Sequence, residues 1–175
     1  MPSNNRRPFN AMSDSTLLQI DGDVERTLAL SFADLAAIDA RHQVADVSRL
    51  DPKRRGDAVR LAGLLELAGV RPSARYITLH ASSDDFHASI PLDAVRDRAI
   101  LIYRLEQEPL PAKAGGPVRF FIPDFAACHT HEVDECANVK FVDRIELSPT
   151  RGRDNRPEEE REHAELHRRQ AEGGC

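Results

Sequence analysis

The stretch that decides the fold runs from Pro109 to Leu147 and reads PLPAKAGGPVRFFIPDFAACHTHEVDECANVKFVDRIEL. It contains two runs of β-branched, aromatic and other apolar residues, Val118–Ile122 and Val139–Leu147, separated by a polar connection. Runs of this composition and length predict two strands joined by a loop. Arg119 and Lys140 lie at the near edges of the two runs. We therefore expect their side chains to converge on one anion.

Upstream of this stretch, the chain begins with the patterns of a hairpin and a capped helix. Leu17–Ile20 and Thr27–Leu30 flank a turn of sequence DGD, an arrangement typical of two antiparallel strands. Ser31 then precedes apolar residues at helical spacing, with Asp34 three positions later. This pattern predicts a short helix with Ser31 as its N-cap.

The middle of the chain predicts one clear helix and several more strands. Residues 59–70 have apolar side chains at the i, i+3, i+4 and i+7 spacing of a helix, with a glycine near the end. Tyr76–His80 and Phe86–Ile90 predict a second hairpin, on which His80 and His87 are expected to face each other as a surface pair. The other predicted elements are a strand within residues 42–49, a helical turn at Pro91–Val95 and a strand at Ile100–Leu105.

Elements of mixed type, with strands that are often linked as hairpins, predict an α+β fold with mixed sheets and short helices. The predicted domain spans residues 16–149. Residues 1–15 are polar and contain prolines, and we expect them to be disordered. Residues 150–175 are highly charged and have no aromatic side chain, which predicts a mobile tail with no apolar face to dock.

The composition excludes several functional classes. The 175 residues carry a formal net charge of −5, which argues against a general nucleic-acid-binding protein. No apolar run approaches the roughly 20 residues needed to span a bilayer, and the N-terminus lacks the apolar core of a secretory signal. Three cysteines are too few for a disulfide scaffold. We therefore expect a cytoplasmic protein that binds neither nucleic acid nor membrane.

A cluster of cysteine and histidine lies inside the deciding stretch, at Cys128, His129, His131 and Cys136. Two thiolates and two imidazoles are a suitable ligand set for Zn²⁺, although this spacing is not a zinc-finger pattern. A disulfide between Cys128 and Cys136 is a second interpretation. Two reduced thiols beside exposed histidines are the third.

The order of the segments resembles the molybdopterin-binding domain of the sulfite oxidase family, over roughly residues 16–149. The segments that carry the resemblance are LLQIDGDVERTLALSFADLAAI, VRLAGLLELAGVRPSARYITL, FHASIPLDAV, LIYRLEQEPLPAKAGGPVRFFIP and NVKFVDRIEL. The resemblance implies an α+β domain of the sulfite-oxidase type that holds a pterin cofactor by its phosphate and ring edges.

The resemblance also implies which residues would contact molybdopterin. Arg119 follows the Gly-Gly-Pro turn, where family members have an arginine near the pterin phosphate. Asn138, Val139 and Lys140 match a short segment that ends in lysine and also meets the cofactor. Two cations beside a glycine-bearing backbone are a suitable way to hold phosphate.

One departure from the family pattern concerns the metal. The family binds molybdenum through a cysteine, which would fall here within His42–Ser48, near Asp46, and the chain has no cysteine before Cys128. A carboxylate does not replace a soft thiolate ligand in kind. The histidine- and arginine-rich cofactor segment found early in the family is also not expected in this chain. Molybdenum is therefore not expected, whereas molybdopterin remains possible.

Three functional hypotheses follow. The first is a non-catalytic, molybdopterin-binding-like domain that binds a pterin-like or other anionic small molecule, or a protein partner. The second is a molybdopterin-dependent oxidoreductase in which Cys128 or Cys136 serves as a relocated ligand. The third is a zinc- or redox-responsive interaction protein that uses the loop formed by residues 128–136.

Overall fold

The computed structural model of the chain describes residues 15–128, 130 and 132–157. The predicted disordered segment lies almost wholly outside these residues, as do His129, His131 and most of the predicted tail. Within the described ranges, no helix is long and apolar enough to cross a membrane.

The described residues form ten strands and three short α-helices, connected by 3-10 turns. The strands are β1 (Thr16–Gly22), β2 (Leu28–Ser31), β3 (Gln43–Val44), β4 (Asp57–Arg60), β5 (Tyr76–Ala81), β6 (Phe86–Pro91), β7 (Ile100–Leu105), β8 (Glu108–Pro109), β9 (Arg119–Phe121) and β10 (Arg144–Ser148). The helices are α1 (Phe32–Ala36), α2 (Leu61–Ala68) and α3 (Leu92–Val95).

The first sheet has five strands in the order β2-β1-β10-β5-β6, and only the β1–β10 pair is parallel. Alternate residues of β5 and β6, such as Leu79 and Ile90, enter the main hydrophobic core. Their neighbours on the opposite face are polar, and Thr78 Oγ1 donates a hydrogen bond of 3.1 Å to Ser89 Oγ. One face of this sheet is therefore apolar and the other is polar, as expected for a sheet with antiparallel hairpins.

The second sheet runs in the order β3-β4-β7-β8, and β9 also pairs with β7. Strand β7 is buried on both faces. Leu101 and Tyr103 belong to the main core, whereas Ile100 and Ile102 belong to a second hydrophobic cluster that includes Phe121. Burial on both faces explains why the sequence of β7 is a continuous apolar run instead of an alternating one.

The short helices confirm part of the sequence prediction and correct another part. Ser31 caps α1 in a complete capping box, in which its hydroxyl accepts from the Asp34 N–H and its own N–H donates to the Asp34 carboxylate. The helix predicted from residue 59 begins instead at Leu61. Val59 and Arg60 belong to β4 because they pair with β7.

The run Val139–Leu147 was predicted as one strand, and only its second half is a strand. Residues 139–143 instead place their N–H groups on carbonyl oxygens of several different segments: Phe141 donates to Gly115 at 2.8 Å, and Asp143 donates to His80 at 3.0 Å. Phe141 has a φ of 57°, which is incompatible with an extended strand. The β10 ladder therefore begins only at Arg144.

Residues 151–157, which we call the C-terminal strap, correct the prediction that a mobile tail begins at residue 150. The N–H of Gly152 donates to Ser89 Oγ at 2.9 Å, and that of Asn155 donates to the His87 carbonyl at 3.0 Å. A buried ion pair joins Asp154 and Arg156 at 2.7 Å. The sequence-based prediction was wrong for this segment because polar pairing, and not an apolar face, attaches it to the sheet.

The Asp154–Arg156 pair also connects the strap to the loop that follows β9. Arg156 donates to the Glu132 carbonyl at 2.7 Å and to the Ser89 carbonyl at 3.2 Å. Burial alone would raise the pKa of Asp154, but hydrogen bonds from Arg156 and Arg151 outweigh burial and leave the pKa below its ordinary value. The pair is therefore charged at neutral pH and depends on both partners.

We predict that Arg156→Gln lowers the free energy of unfolding by about 3 kcal/mol, because it leaves the buried Asp154 carboxylate without its main partner. Urea denaturation followed by circular dichroism measures this change. Arg151→Gln is the matched control, since Arg151 also contacts Asp154 but is half exposed. Equal effects of the two substitutions would show that the buried pair does not hold the strap.

Candidate anion site

Arg119 and Lys140 are brought together by a segment that runs beside β9. The Phe120 N–H donates to the Val139 carbonyl at 2.9 Å, and the Val142 N–H donates to the Val118 carbonyl at 2.9 Å. These two hydrogen bonds hold residues 139–142 next to Arg119. The predicted convergence of Arg119 and Lys140 is thus present in the backbone arrangement, even though residues 139–143 are not a strand.

Gly115 lies directly between the two cationic side chains. A Cβ atom at this position would lie 3.1 Å from Arg119 Cδ and 3.1 Å from Lys140 Cγ. The residue also has a φ of 95°, which glycine adopts without strain. A glycine here therefore permits a close approach of the backbone to the two cations.

Arg54 is a third cation of the site, although it lies far from Arg119 and Lys140 in the sequence. Its guanidinium carbon lies 5.4 Å from the centre of the Phe121 ring, which belongs to the same strand as Arg119. The turn is held by hydrogen bonds to Asp51, whose carbonyl accepts from the Arg54 N–H at 2.9 Å. Only the tertiary structure brings residue 54 next to β9.

The two arginines of the site lack part of their hydrogen-bond partners. The Nε atoms of Arg54 and Arg119 are buried without a hydrogen-bond partner. Arg119 donates one hydrogen bond from Nη1, to the Ala114 carbonyl at 3.2 Å. Buried polar groups without partners are uncommon in proteins and need an explanation, such as a ligand that completes them. These two orphaned donors are the main evidence that an anion belongs here.

The pKa values report the same shortage of negative charge. Burial, and then the charge of Arg54, lowers the pKa of Arg119 to about 10. Burial, followed by the charges of Arg119 and Arg54, also lowers the pKa of Lys140. Asp51 and Asp84 oppose these shifts only in part. An added anion would relieve the repulsion that lowers these two pKa values.

Asn138 and Val139, the other predicted cofactor contacts, anchor the segment that carries Lys140 in this structure. The Asn138 side-chain oxygen accepts a hydrogen bond of 2.8 Å from the Ile122 N–H. Val139 is buried in the main core. Both residues therefore fix the position of Lys140 relative to β9, and direct contact with a cofactor remains a prediction for them.

The position expected for the metal-ligand cysteine lies in a 3-10 turn next to the second hydrophobic cluster. Asp46 is the N-cap of this turn, and its carboxylate accepts from the Ser48 N–H at 3.2 Å and also from the Ser48 hydroxyl. Val47 is fully buried and packs in the same cluster as Phe121. The carboxylate at position 46 is thus engaged with its own turn, and no thiol is available there.

Cys128, the one member of the predicted metal cluster whose side chain is described, is a buried free cysteine. The Cys136 side chain is not described, so the Cys128–Cys136 disulfide stays a prediction. Burial raises the pKa of the Cys128 thiol, which favours the protonated form over a metal-binding thiolate. Among the described residues, no group of three or more potential ligands is arranged to hold a metal ion. His129 and His131 lie outside these residues, so the zinc site stays a prediction.

The described part of the 128–136 loop attaches away from the three cations. Cys128 and Val133 pack in the main core. The charged groups that influence the Cys128 thiol are Arg98 and Asp124. Packing in the main core therefore anchors the described part of the loop.

Comparison with known proteins agrees with the geometry. A family profile described as the oxidoreductase molybdopterin binding domain matches residues 57–155, more than half of the chain. The chain belongs to this family. The fold and the family membership predicted from the order of segments are thereby confirmed. The matched region contains Arg119, Lys140 and most of the strap, and it begins after Asp46 and Arg54.

Two proteins illustrate the relationship. The uncharacterized oxidoreductase YuiH of Bacillus subtilis (strain 168) is 34% identical over 113 residues, covering 61% of this chain and 56% of the relative. The crystal structure of the sulfane dehydrogenase SoxCD from Paracoccus pantotrophus superimposes with a TM-score of 0.55 at 22% identity, covering 82% of this chain and 40% of that chain. The second similarity concerns the fold alone. The chain spans about half the length of these relatives.

We predict that Lys140→Gln does not destabilise the anion-free protein in low-salt buffer, and stabilises it by up to about 0.5 kcal/mol after allowance for solvent screening. The reason is that Lys140 is repelled by Arg119 and Arg54. Chemical denaturation at low ionic strength measures the change, with Lys113→Gln as the control because Lys113 is exposed. A clear loss of stability in Lys140→Gln alone would contradict the repulsion.

Proposed function

We propose that this chain binds a phosphate-bearing pterin of the molybdopterin type, or a closely similar anionic small molecule, at Arg54, Arg119 and Lys140, without catalysing oxo transfer. The observation that carries the proposal is the pair of buried, partnerless Nε atoms on Arg54 and Arg119. A phosphate group offers oxygens to several donors at once, and arginine matches its geometry well.

The phosphate end of a pterin fits the residues that are present. Three cations supply charge, and Gly115 leaves room for close approach between Arg119 and Lys140. Arg119 also matches the position that the resemblance assigns near the pterin phosphate, and Lys140 ends the segment that it assigns to cofactor contact. When bound, a pterin of this type would supply two sulfur ligands for a metal, and this chain's residues would hold its phosphate.

The residues at the position expected for the metal do not suit molybdenum equally well. No cysteine occurs before Cys128, and Asp46 is occupied by hydrogen bonds within its own turn. A molybdenum centre of the family type needs a protein thiolate to set its electronic state. The mismatch between a suitable phosphate end and an unsuitable metal end supports a binding function over oxo-transfer catalysis.

The second candidate is a molybdopterin-dependent oxidoreductase, which is favoured by the relative YuiH being described as an oxidoreductase. It requires a relocated thiolate. Burial in the main core and a raised pKa make Cys128 a poor ligand, so this candidate relies on Cys136. Cys136→Ala should then abolish both metal content and turnover, and unchanged metal content would eliminate the candidate.

Two further expectations from the sequence also remain proposals. A zinc- or redox-responsive role for residues 128–136 would be detected by titrating thiols with and without a chelator, since a thiolate metal site protects thiols until the metal is removed. A protein partner and a cytoplasmic location are compatible with the structure and are supported only by composition.

We predict that a pterin monophosphate, at about 100 times its dissociation constant, raises the free energy of unfolding by about 2.7 kcal/mol. Arg119→Gln should remove most of this stabilisation, whereas Arg75→Gln, which changes an exposed arginine at the start of β5, should retain it. Differential scanning calorimetry with increasing ligand measures the effect, and inorganic phosphate alone serves as a second ligand. Equal responses of the two variants would overturn the assignment of the site.

A second prediction concerns the cofactor content of the protein when it is produced in a host competent in molybdenum-cofactor synthesis. The purified protein should yield extractable pterin but substoichiometric molybdenum, because the phosphate contacts are present and the thiolate is not. Fluorescence of the oxidised pterin and elemental analysis by mass spectrometry measure the two quantities. Stoichiometric molybdenum together with oxidase or reductase activity would reject the non-catalytic function.

A further inference from the structure

A row of charged and titratable side chains crosses the polar face of the first sheet. At its centre, the Nδ1 atoms of His80 and His87 lie 2.7 Å apart. His80 Nε2 lies 3.0 Å from Glu146 Oε2, and His87 Nε2 lies 3.0 Å from Asp85 Oδ1. The sequence predicted that the two histidines face each other, but as a surface pair. They are in fact buried, with exposed fractions of 7% and 6%.

Counting hydrogens shows what this arrangement requires. Each of the three contacts is within hydrogen-bonding distance and needs one hydrogen. Two neutral imidazoles together carry only two hydrogens on nitrogen, whereas an imidazole and an imidazolium carry three. Without a third hydrogen, a ring nitrogen lone pair would face another lone pair or a carboxylate at about 3 Å.

We propose that His80 and His87 bind one shared proton as an imidazole–imidazolium pair, and that this pair is an acid-sensitive latch for the C-terminal strap. In the latched state His87 is the imidazolium, which donates to Asp85 and to His80. His80 is neutral, accepts at Nδ1 and donates from Nε2 to Glu146.

The surrounding groups support this assignment. Burial lowers the pKa of His80, with Arg144 and His87 acting in the same direction and Glu146 opposing them, so His80 is the neutral partner. The row continues on both sides. Arg144 lies 3.5 Å from Glu146 and is itself held by Asp21 at 2.9 Å, and Arg153 lies 3.0 Å from Asp85. Further charged groups nearby are Asp143, which accepts from Ser82, and Asp154 and Arg156 of the strap, which are bonded to the backbone of Ser89.

The strap is attached to His87 and Asp85, two neighbouring members of the row. Arg153 Nη2 donates to the same Asp85 oxygen that accepts from His87. Asn155 is bonded three times: its N–H donates to the His87 carbonyl, its Oδ1 accepts from the His87 N–H at 2.8 Å, and its Nδ2 donates to the Asp85 carbonyl at 2.6 Å. The His87 ring is therefore linked to the strap through the Asp85 oxygen that it shares with Arg153, and Asn155 is bonded to the backbone of the same two residues, His87 and Asp85.

Acid opens the latch. When His80 takes up its own proton, both Nδ1 atoms carry hydrogens and two imidazolium rings face each other at a distance that allows no hydrogen bond between them. Because the folded protein resists this protonation more than the unfolded chain does, the latched state loses stability as the pH falls below about 6.5, the ordinary pKa of histidine. Release of the strap would uncover the outer edge of β6, where it occupies the backbone of His87.

Nitrogen-detected NMR of the histidine rings tests the proton count in the full-length chain. At pH 7 both Nε2 atoms are expected to carry hydrogen, with one further hydrogen between the Nδ1 atoms that gives a coupling across the hydrogen bond. Two neutral rings at this pH would overturn the proposal. Two fully protonated rings at this pH would overturn it as well.

Amide hydrogen exchange at Asn155 tests the latch. After correction for the intrinsic pH dependence of exchange, the rate is expected to rise about tenfold or more between pH 7 and pH 5, through local opening of the strap. The opening midpoint should coincide with the titration of His80. Protection of Asn155 that is unchanged over this range would overturn the proposal.

Three variants separate the latch from general acid sensitivity. His87→Gln removes the second imidazole, so protection of Asn155 should no longer depend on pH between 5 and 7. If that variant fails to fold, Arg153→Gln provides the test: it should lower Asn155 protection at pH 7 while the histidine pair still shares its proton. The control is His42→Gln, which removes a histidine paired with the exposed Glu66 outside the row, and it should leave the pH response intact. A response that persists in His87→Gln, or is lost in His42→Gln, would contradict the latch.

Discussion

Burial of β7 on both faces is the constraint on which the rest of the structure depends. One face of β7 packs against the first sheet in the main core, and the other packs on the smaller cluster that contains Phe121 and Val47. Pairing of β9 with β7 fixes the position of Arg119, and pairing of β4 with β7 fixes the start of α2. The Arg54 guanidinium also contacts the ring of Phe121, on β9. Strand β7 therefore contributes both to the hydrophobic core and to the position of Arg119.

The two best-buried arginines illustrate opposite solutions to the cost of burying charge. Arg156 has Asp154, Asp134 and backbone carbonyls as partners, and burial is outweighed by these contacts so that its pKa lies above the ordinary value. Arg119 has one carbonyl partner, an orphaned Nε and cationic neighbours, and its pKa is lowered. A fold of marginal stability retains such a group most readily when a ligand completes it. The contrast separates an arginine whose donors have partners from one whose Nε has none.

The polar face of the first sheet also buries polar and titratable groups. Thr78, Ser89 and the histidine pair would be costly to bury without partners, and the strap supplies several of them. Gly152 is small enough to lie against Thr78, since a Cβ there would be 2.4 Å from Thr78 Oγ1. The strap is thus part of the fold, and its attachment is polar throughout. This type of attachment responds to pH, whereas an apolar contact would not.

The sequence by itself determined the local structure and the family. Hairpins and the Ser31 cap are encoded in residue periodicity and in short motifs, because each depends on neighbours that are close in sequence. The sequence also placed Arg119 and Lys140 at one site and revealed the missing thiolate ligand. Only the tertiary structure decided that Arg54 joins them, that residues 139–143 leave the strand pattern, and that His80 and His87 are buried. It also decided that the charged strap docks on β6. These features depend on hydrogen bonds and charges between segments distant in sequence, for which a single chain carries no periodic signal.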